Sequence, residues 1–138
     1  MGDDKILEKG KIARHCKPSA IKNRKVLSAA FELRKHKNEE YLSSYLLDNF
    51  KKENEKENIK SLKEFMERQN YSLKPTSGFA VLDIEETNAY VIKEGHSICI
   101  KEKGLTHCGI FPIGNDLTIA KLLADCVNSL YKINNLAC

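Results

Sequence analysis

The run from residue 117 to residue 131 constrains this chain more than any other feature. Leu117, Ala120, Leu123, Ala124, Val127, Leu130 and Tyr131 recur every three or four residues, and Ile119, Leu122 and Cys126 widen the face they make. Such a pattern over about four turns is helical, and a helix with so broad an apolar face must bury it against another layer. The linker "PIGND" ahead of it ends at Asn115 or Asp116, either of which caps a helix N-terminus well. A C-terminal helix lying across a sheet is therefore predicted.

The sheet is sought in the apolar runs upstream. "FAVLDI", residues 79–84, is apolar on both faces apart from Asp83 and reads as a central strand. In "HSICIKEK" His96, Ile98 and Ile100 share one face while Ser97, Cys99 and Lys101 share the other, the alternation of an amphipathic strand. "THCGIF" is extended until Pro112, and "NAYVI" fits either a strand or a short helix. "KVLSAAFELRKH" alternates Leu27, Ala29, Phe31 and Leu33 against Val26, Ser28, Ala30 and Glu32, which predicts another strand. In "EEYLSSYLLDNF" Tyr41, Leu42, Tyr45, Leu46 and Phe50 stand three or four apart, which favours a short helix, with a strand over 41–47 as the alternative.

Between 53 and 69 nearly every residue is charged except Ile59, Leu62, Phe65 and Met66, a narrow stripe at helical spacing. This predicts an exposed amphipathic helix whose acids and bases pair along its outer side. The turn "KPTSG" separates it from the strand-rich second half. With 138 residues there is chain for one core. The expected fold is a single small α+β domain over residues 25–138: a mainly antiparallel sheet of four to five strands, helices against one side, the C-terminal helix packed on it and the charged helix exposed. Residues 1–24 are expected to form a basic N-terminal arm or loop, with only "KIA" extended.

Net charge is +4 and uneven, because residues 1–35 hold ten Lys/Arg against four Asp/Glu. A basic front attracts phosphate backbones or an acidic partner. The five cysteines form no CxxC pair, and the opening "MGDDKILEKGK" lacks the apolar core of a signal peptide, so free thiols in a cytoplasmic protein are expected. No run approaches the ~20 apolar residues of a membrane-spanning helix, and lipid modification at Gly2 is not expected because "MGDDKI" lacks the Ser or Thr that the pattern wants.

Three chemistries are open to the remaining polar residues. "RHC", "HSIC" and "THC" place histidine near cysteine, but neighbours on a strand point to opposite faces, so no metal site is expected. Cys16 stands among Arg14, His15 and Lys17, cations that would favour a thiolate nucleophile. Cleavage of RNA without a metal needs a base, an acid and a cation, and His107, His15, Arg14 and Lys101 are the right types. For His107 the plainer reading is a strand-end residue followed by a glycine, Gly109, that permits close approach. No glycine-rich phosphate cradle is present and no cofactor is expected. A base-stacking sheet needs exposed aromatics at alternating strand positions, and "HSICI" has none.

"RHCKPS" (14–19), "AAFELR" (29–34), "EEYLS" (39–43) and "THCGI" (106–110) together resemble the landmarks of a family of small uncharacterised bacterial proteins: R-x-C-x-P, A-F-x-L-R, L-S and H-x-G-I. The resemblance spans roughly residues 14–125, departs mildly at Thr106, and brings no known activity with it. It implies that Arg14, Cys16, Arg34, Ser43 and His107 are the positions to watch. Two functions are carried forward. One is an accessory or binding module acting through a protein partner, a nucleic acid met by the basic front, or a second copy of itself, with Lys17, Arg24, Arg34 and Lys101 as binding cations. The other is a metal-independent phosphodiesterase or RNase-like hydrolase using His107 and Arg14 with Cys16 and Ser43. Convergence of Arg14, Arg34, Ser43 and His107 on one concavity would favour a ligand pocket.

Overall fold

Apolar residues on both faces of one antiparallel sheet organise the molecule, a computed structural model that describes residues 5–136. Met1 to Asp4, part of the expected arm, and Cys138, one of the expected free thiols, lie outside the described residues. In chain order the elements are β1 (Lys11–Cys16), β2 (Ile21–Lys22), β3 (Lys25–Val26), β4 (Leu42–Leu46), α1 (Glu55–Arg68), β5 (Gly78–Asp83), α2 (Ile84–Lys93), β6 (Ser97–Glu102), β7 (His107–Ile113), α3 (Asp116–Asp125) and β8 (Ser129–Lys132). Six strands form the main sheet in the order β6-β7-β4-β1-β5-β8, every neighbouring pair antiparallel. β2 and β3 make a separate hairpin with Asn23 and Arg24 at its tip, both at positive φ, as a tight hairpin turn requires.

Strand alternation divides the core in two. On one face Ile12, Leu42, Ala80, Leu82, Ile100 and Ile110 are buried under α2 and α3, which contribute Ile84, Val91, Ile119, Ala120 and Leu123. On the other face Ala13, Tyr45, Phe79 and Val81 pack beneath Ile59, Leu62 and Met66 of α1. The helices thus cover both sides, not one, because β5 is apolar on both its faces and each needs a cover. The stripe predicted for the charged helix is the one that docks. Its N-terminus is capped by Asn54, whose side chain accepts from the Glu57 amide at 2.9 Å, and Glu55 ties it down by accepting from Lys11 at 3.1 Å and Tyr131 at 2.6 Å. Asp83, the polar residue within "FAVLDI" and the last of β5, is likewise the cap of α2, accepting from the Glu86 amide at 2.9 Å.

Several expectations are corrected. The supposed N-terminal arm contains β1, an interior strand paired with both β4 and β5; its polar Arg14 and His15 hide the alternation because they serve a cavity instead of solvent. "KVLSAAFELRKH" is a strand only at Lys25–Val26, then becomes a 3-10 turn, Ser28–Phe31, in which Ala30 and Phe31 are buried beside α3. Small alanines suit a turn pressed against a helix. "EEYLSSYLLDNF" takes the strand alternative, β4, since Leu42 faces one core and Tyr45 the other. "NAYVI" lies in α2. The C-terminal helix stops at Asp125, and Leu130 and Tyr131 belong to β8, the last strand of the sheet. Leu117, counted in its apolar face, is 58% exposed. No helix among the described residues is long and apolar enough to cross a membrane.

Candidate functional site

β1 and β4 are laddered through only two residue pairs, Ile12–Leu46 and Ala13–Tyr45. Beyond them β1 continues beside β5 to Cys16 while β4 continues beside β7 to Leu42, so the two strands part. Arg14 fills the gap. Its Nε donates to the Ala30 carbonyl at 2.5 Å and its Nη1 to the Ser43 carbonyl at 2.7 Å, which joins β1, β4 and the 3-10 turn. A guanidinium has five N–H groups, and three therefore remain without a protein acceptor among the described residues. No carboxylate among the described residues pairs with it; the nearby Glu39 is held by Arg34, through the Arg34 amide at 2.8 Å and the guanidinium at 2.9 and 2.5 Å. Burial pulls the Arg14 pKa below its ordinary value, and the charge of nearby Glu39 opposes this only in part.

This notch is a cavity of about 340 Å³ lined by Arg14, His15, Lys17, Arg34, Ser43 and Tyr71 among others. His15 reads its own tautomer from the neighbours. Ser77 spends its hydroxyl proton on the Lys74 carbonyl at 2.6 Å, so the 2.9 Å contact between His15 Nε2 and Ser77 Oγ has the imidazole as donor. Burial, then the charge of Arg14, lowers the His15 pKa, leaving it neutral with Nδ1 as its acceptor at neutral pH. Cys16 also lines the notch, but its thiol is 1% exposed and burial pushes its pKa up to about 11, overriding Arg14. The thiol donates to the Arg14 carbonyl at 3.4 Å. The expected thiolate nucleophile is thus a protonated core residue: the cations next to it in sequence do not compensate for desolvation.

His107 lies next door, in a hollow of about 420 Å³ that shares Ser43, Tyr45 and Tyr71 with the notch. Its backbone does finish a turn, the carbonyl accepting from the Lys103 and Gly104 amides at 2.8 and 3.0 Å. Its ring stands between Tyr41 and Tyr45, with centroids 6.0 and 5.6 Å away. Burial first and Lys103 second lower its pKa. Tyr45 is buried, and burial followed by Tyr71 raises its pKa, so it stays a neutral phenol. Arg14, Arg34 and Ser43 thus converge on one concavity and His107 on its neighbour.

Compared with protein-family models, curated proteins and solved structures, the chain matches none. The site is therefore judged on its own chemistry. Of the other expected cations, Lys17 lines the notch, Lys101 sits over the Phe111 ring at 5.1 Å on the same face as His107, and Arg24 lies at the hairpin tip over a different hollow bordered by Lys121 and Asn128. Among the described residues no group of three or more His, Cys, Asp or Glu is placed to hold a metal ion. Sequence reasoning missed Tyr45 and Tyr71 as lining residues. The period-two set Tyr41, Ser43, Tyr45 would have signalled one of them had the segment been read as a strand.

Proposed function

We propose that the chain is a binding module that captures an anionic group of a macromolecular partner, phosphate or carboxylate, in the notch between β1 and β4. The observation that carries this reading is Arg14: a largely buried guanidinium, fixed by two backbone carbonyls, paired with no carboxylate among the described residues, and opening onto a cavity flanked by Lys17 and Arg34. A rigid fork of N–H donors in such a setting is suited to an oxyanion. Glu39, which Arg34 holds, acts on Arg14 only through its charge, and a ligand oxyanion bonded directly to the guanidinium recovers more of the cost of burying it.

Capture is favoured over cleavage. Hydrolysis by His107 with Arg14 needs both groups on one reacting phosphorus, whereas Ser43 and Tyr45 border both hollows and His107 and Arg14 each border one. The protein-partner reading fits a module of this kind.

Phosphate, pyrophosphate and glutarate, titrated separately against the folded protein by NMR, should move the Arg14 side-chain and Ser43 amide resonances. Arg14→Gln should weaken the tighter of these anions at least tenfold. Unperturbed Arg14 resonances at saturating anion would end the capture reading. Labelled RNA incubated with the protein should remain intact, and cleavage that disappears in His107→Ala would replace capture with catalysis.

A further inference from the structure

The face of the sheet that carries Tyr45 is only partly covered, since α1 packs over its β1, β5 and β8 side. On the β4–β7–β6 side His107, Gly109 and Phe111 follow one another at period two on this face, and cross-strand register sets Ser43 opposite Gly109 and Cys99 opposite Phe111. Tyr41 lies across the glycine: a Cβ at position 109 would fall on its Cδ2 and within 2.8 Å of its Cγ. The ring occupies the space a side chain would take, between His107 and Phe111, 6.0 and 4.9 Å away by centroid. All three rings are partly exposed. Lys101 stands 5.1 Å from the Phe111 centroid, and Lys103 stands 5.3 Å from Tyr41 and 5.8 Å from Phe111. The aromatics absent from "HSICI" are thus supplied by its neighbour β7, with His107 and Phe111, and by Tyr41 just ahead of β4.

We infer that this surface is a stacking platform for unpaired nucleotides, and that the anion taken by the notch is a phosphate of the same strand. The inference rests on the capture reading and names its partner as single-stranded nucleic acid. Three features carry it. Rings presented side by side at single-residue depth on a sheet offer π-faces to successive bases. Lysines poised over those rings supply cations where the sugar–phosphate chain would run, and exchange contact with a ring for contact with a phosphate. The platform and the notch are continuous, because Ser43, Tyr45 and Tyr71 line both the notch and the hollow of His107. An acidic peptide would use the lysines but has no use for three adjacent rings.

Fluorescence anisotropy with labelled ten-nucleotide oligo-U and oligo-dT, the matching duplex, and an oligoglutamate peptide decides it. The single strands should bind, with the duplex and the peptide at least tenfold weaker. Tyr41→Leu and Phe111→Leu, checked for unchanged melting and far-ultraviolet dichroism, should each weaken the single strand about tenfold or more while pyrophosphate binding persists. Lys101→Gln, which removes charge and no ring, should lower the slope of log affinity against log salt by about 0.7. Tighter binding of peptide or duplex than of single strand, or full affinity in the folded ring variants, would overturn the platform. Pyrophosphate binding that depends on Arg14, without any oligonucleotide binding, would overturn the platform and leave capture standing. Loss of both anion and oligonucleotide binding in the wild type would remove both.

Discussion

At the scale of single residues the decisive quantity is burial, and it sorts the candidates differently from their sequence neighbours. Cys16 stands between a histidine and a lysine in the chain, yet in the fold its thiol pKa rises to about 11, and that of Cys108 to about 12, because both are desolvated. Cys99 and Cys126 are only half-buried. An aromatic disulfide reagent at pH 7, followed by peptide mapping, should leave Cys16 and Cys108 unmodified in the native protein and label them once denaturant is added; rapid native labelling of Cys16 would restore the nucleophile. Arg14 was legible as a residue of interest from its place in "RHCKPS". Its role was not, since the Ala30 and Ser43 carbonyls it bonds are 16 and 29 residues away and depend on the register of two strands.

At the scale of elements, the sequence was most legible where a segment has a single apolar periodicity and least where it meets two layers. The helix stripe of α1 and the strands β5, β6 and β7 follow their patterns closely. The helix was preferred over the strand alternative for β4 because its Leu42 and Leu46 serve one core and Tyr45 the other, and a strand buried on both faces has no alternation to display. The same confusion extended the last helix into β8, where Leu130 and Tyr131 pack on opposite sides of the sheet. The docked stripe of α1 makes a quantitative expectation. Leu62 is fully buried against the β1–β5 face, and Leu62→Ala should cost about 2–5 kcal/mol in urea unfolding. A loss under about 0.5 kcal/mol would mean that α1 is not packed as described.

At the scale of the whole molecule, stability should depend on pH through the two histidines of the site. His15 and His107 both have folded pKa values below the ordinary value of about 6.5, chiefly through burial. The folded state therefore prefers them neutral: the stability they contribute is fully present above about pH 6.5 and is lost as pH falls toward their folded values. Melting temperature should drop between pH 7 and pH 5, and His15→Gln, which keeps a donor for Ser77 but cannot titrate there, should flatten part of that drop. An unchanged profile in the variant would show that His15 is not the group responsible. Glu39 and Glu55 act lower still. Burial would raise both, but hydrogen bonds from Arg34 to Glu39 and from Tyr131 and Lys11 to Glu55 outweigh it, so their stabilisation fades only below about pH 4.5.

The sheet is, mechanically, two three-stranded leaves stitched along a seam only two residue pairs long, with one guanidinium as the clasp at its open end. Because the clasp closes with two of its N–H groups and no acceptor among the described residues takes the other three, the proposed oxyanion would engage those three without undoing the stitch. Whatever occupies that place also rivets the leaves together, and thermal resistance gained on loading becomes a direct gauge of occupancy.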